Sequence, residues 1–332
     1  MGKKTVYVGA FPPPFGGVTV KNQLIYEFLK SKEQVVDFVD SKRSNGPQKI
    51  LNTLLAVIKK DRKFYIGVSG KSMRLVSSLL YCFNRKSMND SVLIVMGGTF
   101  AETVKNDAKY LKWVKGYKRV LVETKIMNEV LKSSGLENTF LFPNCRLRPH
   151  ADIPSHEKPF NRVVFYSQIR PEKGVDLLLE AAKRMPFVRF DFWGEIIDSY
   201  RDEFMSSIES NENCQYNGVF KANGDNVYLL LSDYDVFVFP TRMQSEGVPG
   251  ALIESKIAGI PAVVGNWKYN SELVDHDHDG MIMGEYSVDE LVKCISTIIQ
   301  DSVKFKQMKN NVKQSAERYY IDNYIDLFID KR

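Results

Sequence analysis

Two acidic residues, Glu246 and Glu254, stand eight positions apart around the predicted start of a helix. The apolar, β-prone run 236–239 predicts a buried strand that ends at Pro240, and Pro249 suits the first helical position of the segment that follows. We therefore expect Glu246 in a loop and Glu254 inside a helix. So placed, both carboxylates can face one crevice at the carboxyl edge of a sheet, where open α/β folds bind ligands.

Four residues between these glutamates offer backbone N–H groups near the predicted helix N-terminus. They are Gly247, Val248, Gly250 and Ala251. Amides at such a position favour an anion, because they are unpaired donors and the helix dipole is positive there. Carboxylates at the ends and amides between them suit a ligand with hydroxyls at both ends and phosphates in the middle, which is the shape of a nucleotide-sugar.

The string EGVPGALIE at 246–254 resembles the E-x7-E signature of glycosyltransferase family 4 (glycosyl transferases group 1), whose members are retaining enzymes of the GT-B fold. The string AGIP at 258–261 is similar to the family's A-x-G-x-P and is one residue shorter. In that family the first glutamate binds hydroxyls of the donor sugar and the second binds the ribose. The resemblance implies these roles for Glu246 and Glu254.

The string YSQIRPEKG at 166–174 carries the candidate cations. A lysine and an arginine aimed at a diphosphate stabilise the negative charge that builds as the leaving group departs. The family's usual pattern is G-R-x-x-x-E-K-G; Lys173 matches its lysine, whereas Gln168 occupies the place of its arginine. Arg170 stands two residues later, and residues two apart in an extended segment project to the same side, so we predict that Arg170 reaches the same phosphate. The predicted catalytic residues are Lys173, Glu246 and Arg170.

A glycine pair near the N-terminus is the other candidate. The string FPPPFGGV at 11–18 follows the first predicted strand, and glycines there let a backbone pass close to a ligand. In the family a similar pair borders the donor phosphates and the acceptor, and Gly16 and Gly17 match it. The further residues predicted to bind the donor are Gln168, Gly194 and Val219.

Short β-prone runs alternate with helical runs along the whole chain, which predicts an α/β fold with parallel sheets. Strands are predicted at 5–9, 35–39, 64–68, 92–96, 120–123 and 139–142, and then at 163–167, 188–193, 215–217, 236–239, 260–264 and 281–283. The resemblance implies the GT-B arrangement: two Rossmann-like domains facing each other across a cleft, with a C-terminal helix crossing back to the first.

The proline-rich segment 143–162 is predicted to link these domains. Residues 1–150, with the C-terminal helix 318–332, are expected to form the N-terminal acceptor-binding domain. Residues 160–317 are expected to bind the nucleotide-sugar.

Cysteine usage and the N-terminus indicate the compartment. The four cysteines contain no C-x-x-C pair, which argues against a zinc site and a disulfide framework. The N-terminal residues lack the apolar core of a signal peptide, and no stretch is long and apolar enough to span a membrane. We expect a cytoplasmic protein that needs no metal and no cofactor besides its donor substrate.

Charge is divided unevenly along the chain. Residues 1–150 hold 26 basic and 11 acidic residues, a net +15, whereas residues 151–332 hold 20 and 29, a net −9. A predicted helix at 103–116 carries a basic stripe, and this surface could dock on anionic lipid or be a solvated face. The residues in question are Lys59, Lys60, Arg62, Lys63, Arg85, Lys86, Lys105, Lys109, Lys112 and Trp113.

Two other strings suggest different chemistry. Asp233 and Asp235 mimic the Asp-x-Asp of metal-dependent transferases, but they directly precede a buried strand, so local hydrogen bonding is expected of Asp235. The string GVSGKS at 67–72 is an incomplete P-loop, since Tyr65 stands where that motif needs a glycine.

We interpret the chain as a retaining glycosyltransferase that transfers a sugar from a nucleoside-diphosphate sugar to a glycan or a polyprenyl-linked glycan, with a UDP-sugar as favoured donor. The first half contains no histidine before position 150 that could serve as the general base of an inverting enzyme, which favours retention. A GT-B-fold sugar-nucleotide epimerase and a non-catalytic nucleotide-sugar-binding protein remain alternatives. Specific nucleic-acid binding is disfavoured because no reading motif is recognisable.

Overall fold

The computed structural model describes residues 4–13, 16–35, 37–41 and 47–329. The chain divides into two compact units, one of Met1–Leu147 with Tyr320–Arg332 and the other of Arg148–Tyr319. Three parts of the sequence-based predictions lie outside the described residues: positions 14–15 of FPPPFGGV, Val36 of the second predicted strand, and positions 330–332 of the last predicted helix.

Within its described residues, the first unit contains one six-stranded parallel sheet in the order β2-β1-β3-β4-β5-β6. The strands are β1 (Lys4–Gly9), β2 (Asp37–Asp40), β3 (Arg62–Gly67), β4 (Val92–Ile94), β5 (Arg119–Val122) and β6 (Thr139–Leu141). The helices are α1 (Gly17–Ser31), α2 (Pro47–Ile58), α3 (Gly70–Phe83), α4 (Arg85–Met88), α5 (Phe100–Lys105), α6 (Ala108–Val114) and α7 (Lys125–Ser133).

The predicted helix at 103–116 is wrong as a single element. The structure divides this segment between α5 and α6 at Asn106 and Asp107. Asp107 is the N-cap of α6, where its carboxylate accepts a 2.9 Å hydrogen bond from the Tyr110 amide. This hydrogen bond holds the pKa of Asp107 below its usual value, and Arg74 adds to the effect. A capping carboxylate there begins a new helix, because it pairs an amide that a continuous helix would have used.

The C-terminal segment returns to the first unit, as the fold prediction required, but its described residues are not the single α-helix expected at 318–332. It forms a 3₁₀ helix at Ile321–Leu327. Phe328 helps to fix the segment, since it is fully buried and lies edge-on to Tyr65 and Phe142. Tyr and Ile have only moderate helix propensity, so these contacts decide the local conformation.

Over the described part of the second unit there is again one parallel sheet of six strands, ordered β12-β11-β10-β7-β8-β9. The strands are β7 (Arg162–Tyr166), β8 (Arg189–Trp193), β9 (Cys214–Tyr216), β10 (Val236–Phe239), β11 (Ala262–Gly265) and β12 (Gly280–Met283). The helices are α8 (Val175–Arg184), α9 (Arg201–Glu209), α10 (Asn226–Ser232), α11 (Gly250–Ile257), α12 (Asn270–Leu273), α13 (Val288–Ile299) and α14 (Ser302–Ala316).

The predicted strands are all present, and their ends agree with the structure to within two residues. They were recognisable because strands buried on both faces of a parallel sheet read as continuous apolar runs; all four residues of β10 are buried, as are all four of β11. Strand β11 begins two residues later than predicted. Pro261 there has no amide to donate, although its carbonyl accepts from Phe237.

Candidate active site

The strand order of the second sheet creates a crevice between β7 and β10. From β7 the chain proceeds outward to β8 and β9, and it then returns to add β10 on the other side of β7. Loops that follow neighbouring parallel strands but lead in opposite directions leave a crevice at the carboxyl edge, and open α/β folds bind ligands there. The loop after β7 carries Lys173, and the loop after β10 carries Glu246.

The structure brings Lys173 and Glu246 into direct contact. The Lys173 Nζ lies 2.6 Å from the Glu246 Oε2, and the two side chains are only 11% and 12% exposed. The ammonium also lies 4.9 Å from the centroid of the Phe239 ring at the end of β10. Two opposite charges thus neutralise each other in a shielded position, where each could exchange the other for a charged or hydroxylated ligand.

A tight turn positions Lys173. Residues Pro171–Lys173 form one 3₁₀ turn that ends at Gly174, whose φ is +79°. A Cβ on Gly174 would lie 2.6 Å from the Pro240 carbonyl oxygen, so any side chain there would push the turn away from β10. The glycine therefore lets the Lys173 loop pack directly against the end of the neighbouring strand.

Thr241 joins the two loops, and the sequence did not indicate its role. Its hydroxyl lies 3.3 Å from the Glu246 Oε2 and 3.4 Å from the Glu172 carbonyl oxygen. The next residue, Arg242, donates its amide to the same carbonyl at 2.8 Å. The only available signal was the position of Thr241 directly after the predicted strand and its proline.

Arg170 lies beside Gln168, but its charge is already neutralised. Its guanidinium donates two hydrogen bonds to the Glu172 carboxylate, at 2.9 and 3.0 Å, and a longer one of 3.4 Å to the Gln168 side chain. This pairing lowers the pKa of Glu172 to about 2 and raises the pKa of Arg170. The side chains of Gln168 and Arg170 do project to one side of the segment, as predicted. The role of Arg170 in catalysis stays a prediction.

Glu254 lies inside α11, and Glu246 lies in the loop before it, as predicted. Pro249 is the N-cap of α11, one residue before the helical position expected for it. Gly250 and Ala251 form the first turn of the helix, where the amides of any α-helix lack intrahelical partners. Gly247 and Val248 precede it in the loop, and Val248 is buried.

Gly194 is required by the packing of the sheet itself. It follows β8 with a φ of +149°, and a Cβ there would lie 1.8 Å from the Ser167 carbonyl oxygen. Its amide donates to the carbonyl of Gly218, next to Val219, which is 60% exposed. Gly194 thus allows the segments after β7 and β8 to approach each other. Contact of either Gly194 or Val219 with a donor stays a prediction.

Gly16 and Gly17 belong to the first unit, where they begin α1. A Cβ at either position would have no neighbour within 4 Å. The amide of Gly16 donates to the Thr19 hydroxyl at 3.0 Å, which caps the helix. The backbone here is therefore uncrowded, and a role for the pair in binding donor or acceptor stays a prediction.

Asp235 directly precedes β10, so it lies at the edge of the second sheet opposite to the one that carries Lys173 and Glu246. Its carboxylate accepts from the backbone amides of Phe160 and Arg162 and contacts the His156 ring at 2.8 Å. These bonds hold the segment before β7, as the local-bonding interpretation predicted. Across the ranges that the structure describes, no three His, Cys, Asp or Glu side chains are grouped as metal ligands.

Comparison with known proteins identifies the family. Residues 150–315, half of the chain, match the family described as Glycosyl transferases group 1. This match covers the two loops that hold Lys173 and Glu246. The chain belongs to the glycosyl transferases group 1 family.

Two curated relatives of this group 1 chain are glycosyltransferases by name. A UDP-Gal:alpha-D-GlcNAc-diphosphoundecaprenol alpha-1,3-galactosyltransferase of Escherichia coli is 28% identical over 110 residues, which is 31% of this chain and 28% of the relative. An uncharacterised glycosyltransferase of Haemophilus influenzae is 24% identical over 160 residues, 46% of this chain and 44% of the relative. The chain thus spans less than half the length of the curated relatives it matches.

A solved structure extends the likeness to the whole chain. HepE of Anabaena, crystallised with UDP, superposes with a TM-score of 0.71 at 15% sequence identity, covering 96% of both chains. At 15% sequence identity, this likeness shows that the two proteins share a fold and nothing more. The group 1 chain therefore has the GT-B fold, with two Rossmann-like units.

Proposed function

We propose that this group 1 protein is a retaining glycosyltransferase that takes a sugar from a nucleoside-diphosphate sugar, with a UDP-sugar as the favoured donor. The acceptor would be a hydroxyl of a glycan or lipid-linked glycan, as in the synthesis of bacterial surface polysaccharide. The contact of Lys173 with Glu246 at the switch point of the second sheet carries this proposal, because a cation suited to phosphate lies there beside a carboxylate suited to hydroxyls.

Each side chain takes a role that its chemistry fits. Lys173 exchanges Glu246 for the donor diphosphate and stabilises the charge on the leaving phosphate. Glu246, released from Lys173, accepts hydrogen bonds from hydroxyls of the sugar, and Glu254 accepts them from the ribose. The amides of Gly250 and Ala251 add a positive helix end between the two carboxylates.

Retention requires no protein base in this scheme. The bond between the anomeric carbon and the phosphate oxygen breaks while the acceptor oxygen bonds to the same face of that carbon. The departing phosphate takes the proton of the acceptor hydroxyl. The protein contributes orientation of the two substrates and electrostatic stabilisation of the diphosphate.

The relatives support the substrate classes. HepE was crystallised with UDP and with UDP-glucose. The name of the Escherichia coli relative specifies a UDP-linked sugar as donor and a diphosphoundecaprenol-linked sugar as acceptor. A UDP-sugar and a polyprenyl-linked glycan are therefore the first substrates to test.

An acceptor of this kind lies in a membrane, and we include docking of the first unit on the inner face of the plasma membrane in the proposal. No described helix has the length and apolar character needed to cross a bilayer. At the end of α2 and α3, however, Ile58 is 39% exposed and Phe83 is 68% exposed. Asn84 joins the two helix ends by donating to the carbonyls of Val57 and Lys59.

Four exposed cations follow these two apolar residues closely along the chain: Lys59, Lys60, Arg85 and Lys86. We call the six residues the basic-apolar corner. Apolar side chains that insert among lipid headgroups, flanked by lysine and arginine, favour a surface rich in anionic lipid. The exposed lysines of α5 and α6 would add to the attraction.

The proposal is tested by incubating the protein with a panel of UDP-, GDP- and ADP-sugars. We expect one donor to raise the melting temperature, since a ligand that binds only the folded state stabilises it. That donor should then yield transfer to a polyprenyl-diphosphate-linked acceptor, with the anomeric configuration retained by NMR. Release of an isomerised sugar nucleotide without acceptor would favour an epimerase, and donor binding without any turnover would favour a binding protein.

A further inference from the structure

Arg242 is a third cation at the candidate active site, besides Lys173 and Arg170. It lies in the loop after β10, four residues before Glu246, and its side chain is exposed. Its amide donates to the Glu172 carbonyl at 2.8 Å, which fixes its backbone against the turn that carries Lys173. Arg242 therefore starts from a point next to the proposed diphosphate site.

The other charges of these two loops balance one another, and Arg242 is left over. Lys173 is paired with Glu246, and Arg170 is paired with Glu172 through two hydrogen bonds. For Arg242, no carboxylate lies within ion-pair distance among the residues that the structure describes. It supplies the surplus positive charge of this region.

The Arg242 side chain rests on an aromatic ring. Its guanidinium carbon lies 3.7 Å from the centroid of Tyr286, in the loop after β12. Tyr286 in turn lies beside the Lys173 turn, since a Cβ on Gly174 would be 3.0 Å from the Tyr286 hydroxyl. A planar guanidinium stacked on a ring keeps its N–H edge available for a phosphate.

We propose that Arg242 supplies the second cation for the donor diphosphate, beside Lys173. Arg170 must give up two charge-assisted hydrogen bonds to Glu172 before it can bind a phosphate. Arg242 must give up only its contacts with the uncharged Tyr286 side chain. A long guanidinium side chain suits this task, because its fork of donors matches two phosphate oxygens.

This inference rests on the proposed function, and calorimetry can separate the two. The full-length protein and its Arg242→Ala, Arg242→Lys and Arg170→Ala variants are titrated with UDP, GDP and ADP. Arg201→Ala is the matched control, since Arg201 is an exposed arginine of the same unit at the start of α9. Melting temperatures without ligand should be alike, because Arg242 is exposed and caps no element.

We expect Arg242→Ala to weaken binding of the preferred nucleotide about tenfold, with Arg242→Lys recovering part of the loss. Arg170→Ala should cost less than about threefold, and Arg201→Ala should have no effect. If Arg242→Ala binds as tightly as the unchanged protein, or if Arg170→Ala is the more damaging change, this inference is wrong. If the unchanged protein binds none of the three nucleotides, the diphosphate site is absent and the proposed function is contradicted with it.

Discussion

Lys173 and Glu246 neutralise each other in a position that is only about one-tenth exposed. A pair of this kind contributes little to ligand binding until a substrate separates it, and then both charges become available at once. In the proposed mechanism, the diphosphate would replace the carboxylate on Lys173, and the sugar hydroxyls would replace the ammonium on Glu246. The same two side chains can therefore keep the empty site neutral and bind a charged donor.

The first prediction concerns Lys173. We expect Lys173→Ala to lower kcat about 100- to 1000-fold, because it removes a cation that stabilises charge on the leaving phosphate. Lys221→Ala, at an exposed lysine of the same unit, is the control and should retain full activity. Steady-state transfer rates measure both. An unchanged kcat for Lys173→Ala would exclude this lysine from the chemistry.

The second prediction concerns Glu172. Glu172→Gln removes the carboxylate that neutralises Arg170. The Arg170 guanidinium is then free to bind phosphate, and the net charge of the two loops rises by one. We expect UDP to bind about threefold more tightly, as measured by calorimetry. Weaker binding by this variant would indicate that Glu172 orients Arg170 productively instead of competing for it.

The sequence revealed the residues whose spacing is fixed by a pattern and missed those whose contacts depend on the path of a loop. Glu246, Glu254 and Lys173 stood in strings that resemble family motifs. Thr241 contacts Glu246 only because the six-residue stretch 241–246 folds back on itself, and no periodicity describes such a stretch. Glu172 was visible beside Arg170, but their bidentate pairing depends on side-chain rotamers.

At the scale of the elements, the site depends on helix α11 and on the close packing of the segments that follow the strands. Gly194 makes that close packing possible. The third prediction is that Gly194→Ala destabilises the protein by about 3 kcal/mol or more, because its Cβ would overlap the Ser167 carbonyl. Gly17→Ala, where a Cβ meets nothing within 4 Å, is the control and should leave the melting temperature unchanged or raise it. Equal melting temperatures for both variants would contradict the packing described.

A buried ion pair anchors α11, the helix that carries Glu254. The Lys256 Nζ lies 2.5 Å from the Asp279 Oδ2, and both side chains are at most 2% exposed. Burial lowers the pKa of Lys256 to about 8, although Asp279 acts in the opposite direction. The pair thus connects α11 with the loop before β12 at a considerable desolvation cost.

The fourth prediction follows from that burial. Lys256→Met should cost about 3–5 kcal/mol of unfolding free energy, because it leaves the Asp279 carboxylate buried without its cation. Lys256→Met with Asp279→Asn should recover most of the loss, since neither charge then remains. Urea denaturation compares them. A double variant as unstable as the single one would show that the pair is not the main cause.

Element positions were largely predictable, and the exceptions have local causes. Apolar runs identified each strand. The helices predicted at 103–116 and 318–332 were altered by a cap and by aromatic contacts, which the apolar pattern does not record. The capping carboxylate of Asp107 interrupts one predicted helix. The burial of Phe328 between Tyr65 and Phe142 replaces the other with a 3₁₀ helix.

At the scale of the whole molecule, the two halves differ in charge as well as in proposed substrate. The residues up to 150 carry +15, and those after it carry −9. A polyanionic surface would attract the first half and repel the second. In the proposal, the basic-apolar corner at the ends of α2 and α3 and the start of α4 would be the location of that attraction.

The fifth prediction tests this location with vesicles. Arg85→Gln with Lys86→Gln should lower binding to phosphatidylglycerol vesicles about 30-fold, at about 1 kcal/mol for each cation. Lys30→Gln with Lys132→Gln removes the same charge from other exposed positions of the first unit and should have a smaller effect. Co-sedimentation measures both. Equal losses would mean that overall charge, and not the corner, governs binding.

The GT-B fold followed from the strand pattern together with the resemblance, because alternation predicts parallel sheets and the motif strings identify the family. The identities of the donor sugar and the acceptor do not follow from the strand pattern or the motif strings, because specificity for them depends on a few contacts in loops.

A crystal structure of the protein with the nucleoside diphosphate that binds most tightly would test the proposed roles of Lys173, Glu246 and Glu254 together. We predict the phosphates within hydrogen-bond distance of Lys173, the ribose hydroxyls at Glu254, and Glu246 withdrawn from Lys173. A nucleotide bound away from the ends of β7 and β10, with the Lys173–Glu246 pair intact, would contradict the proposal.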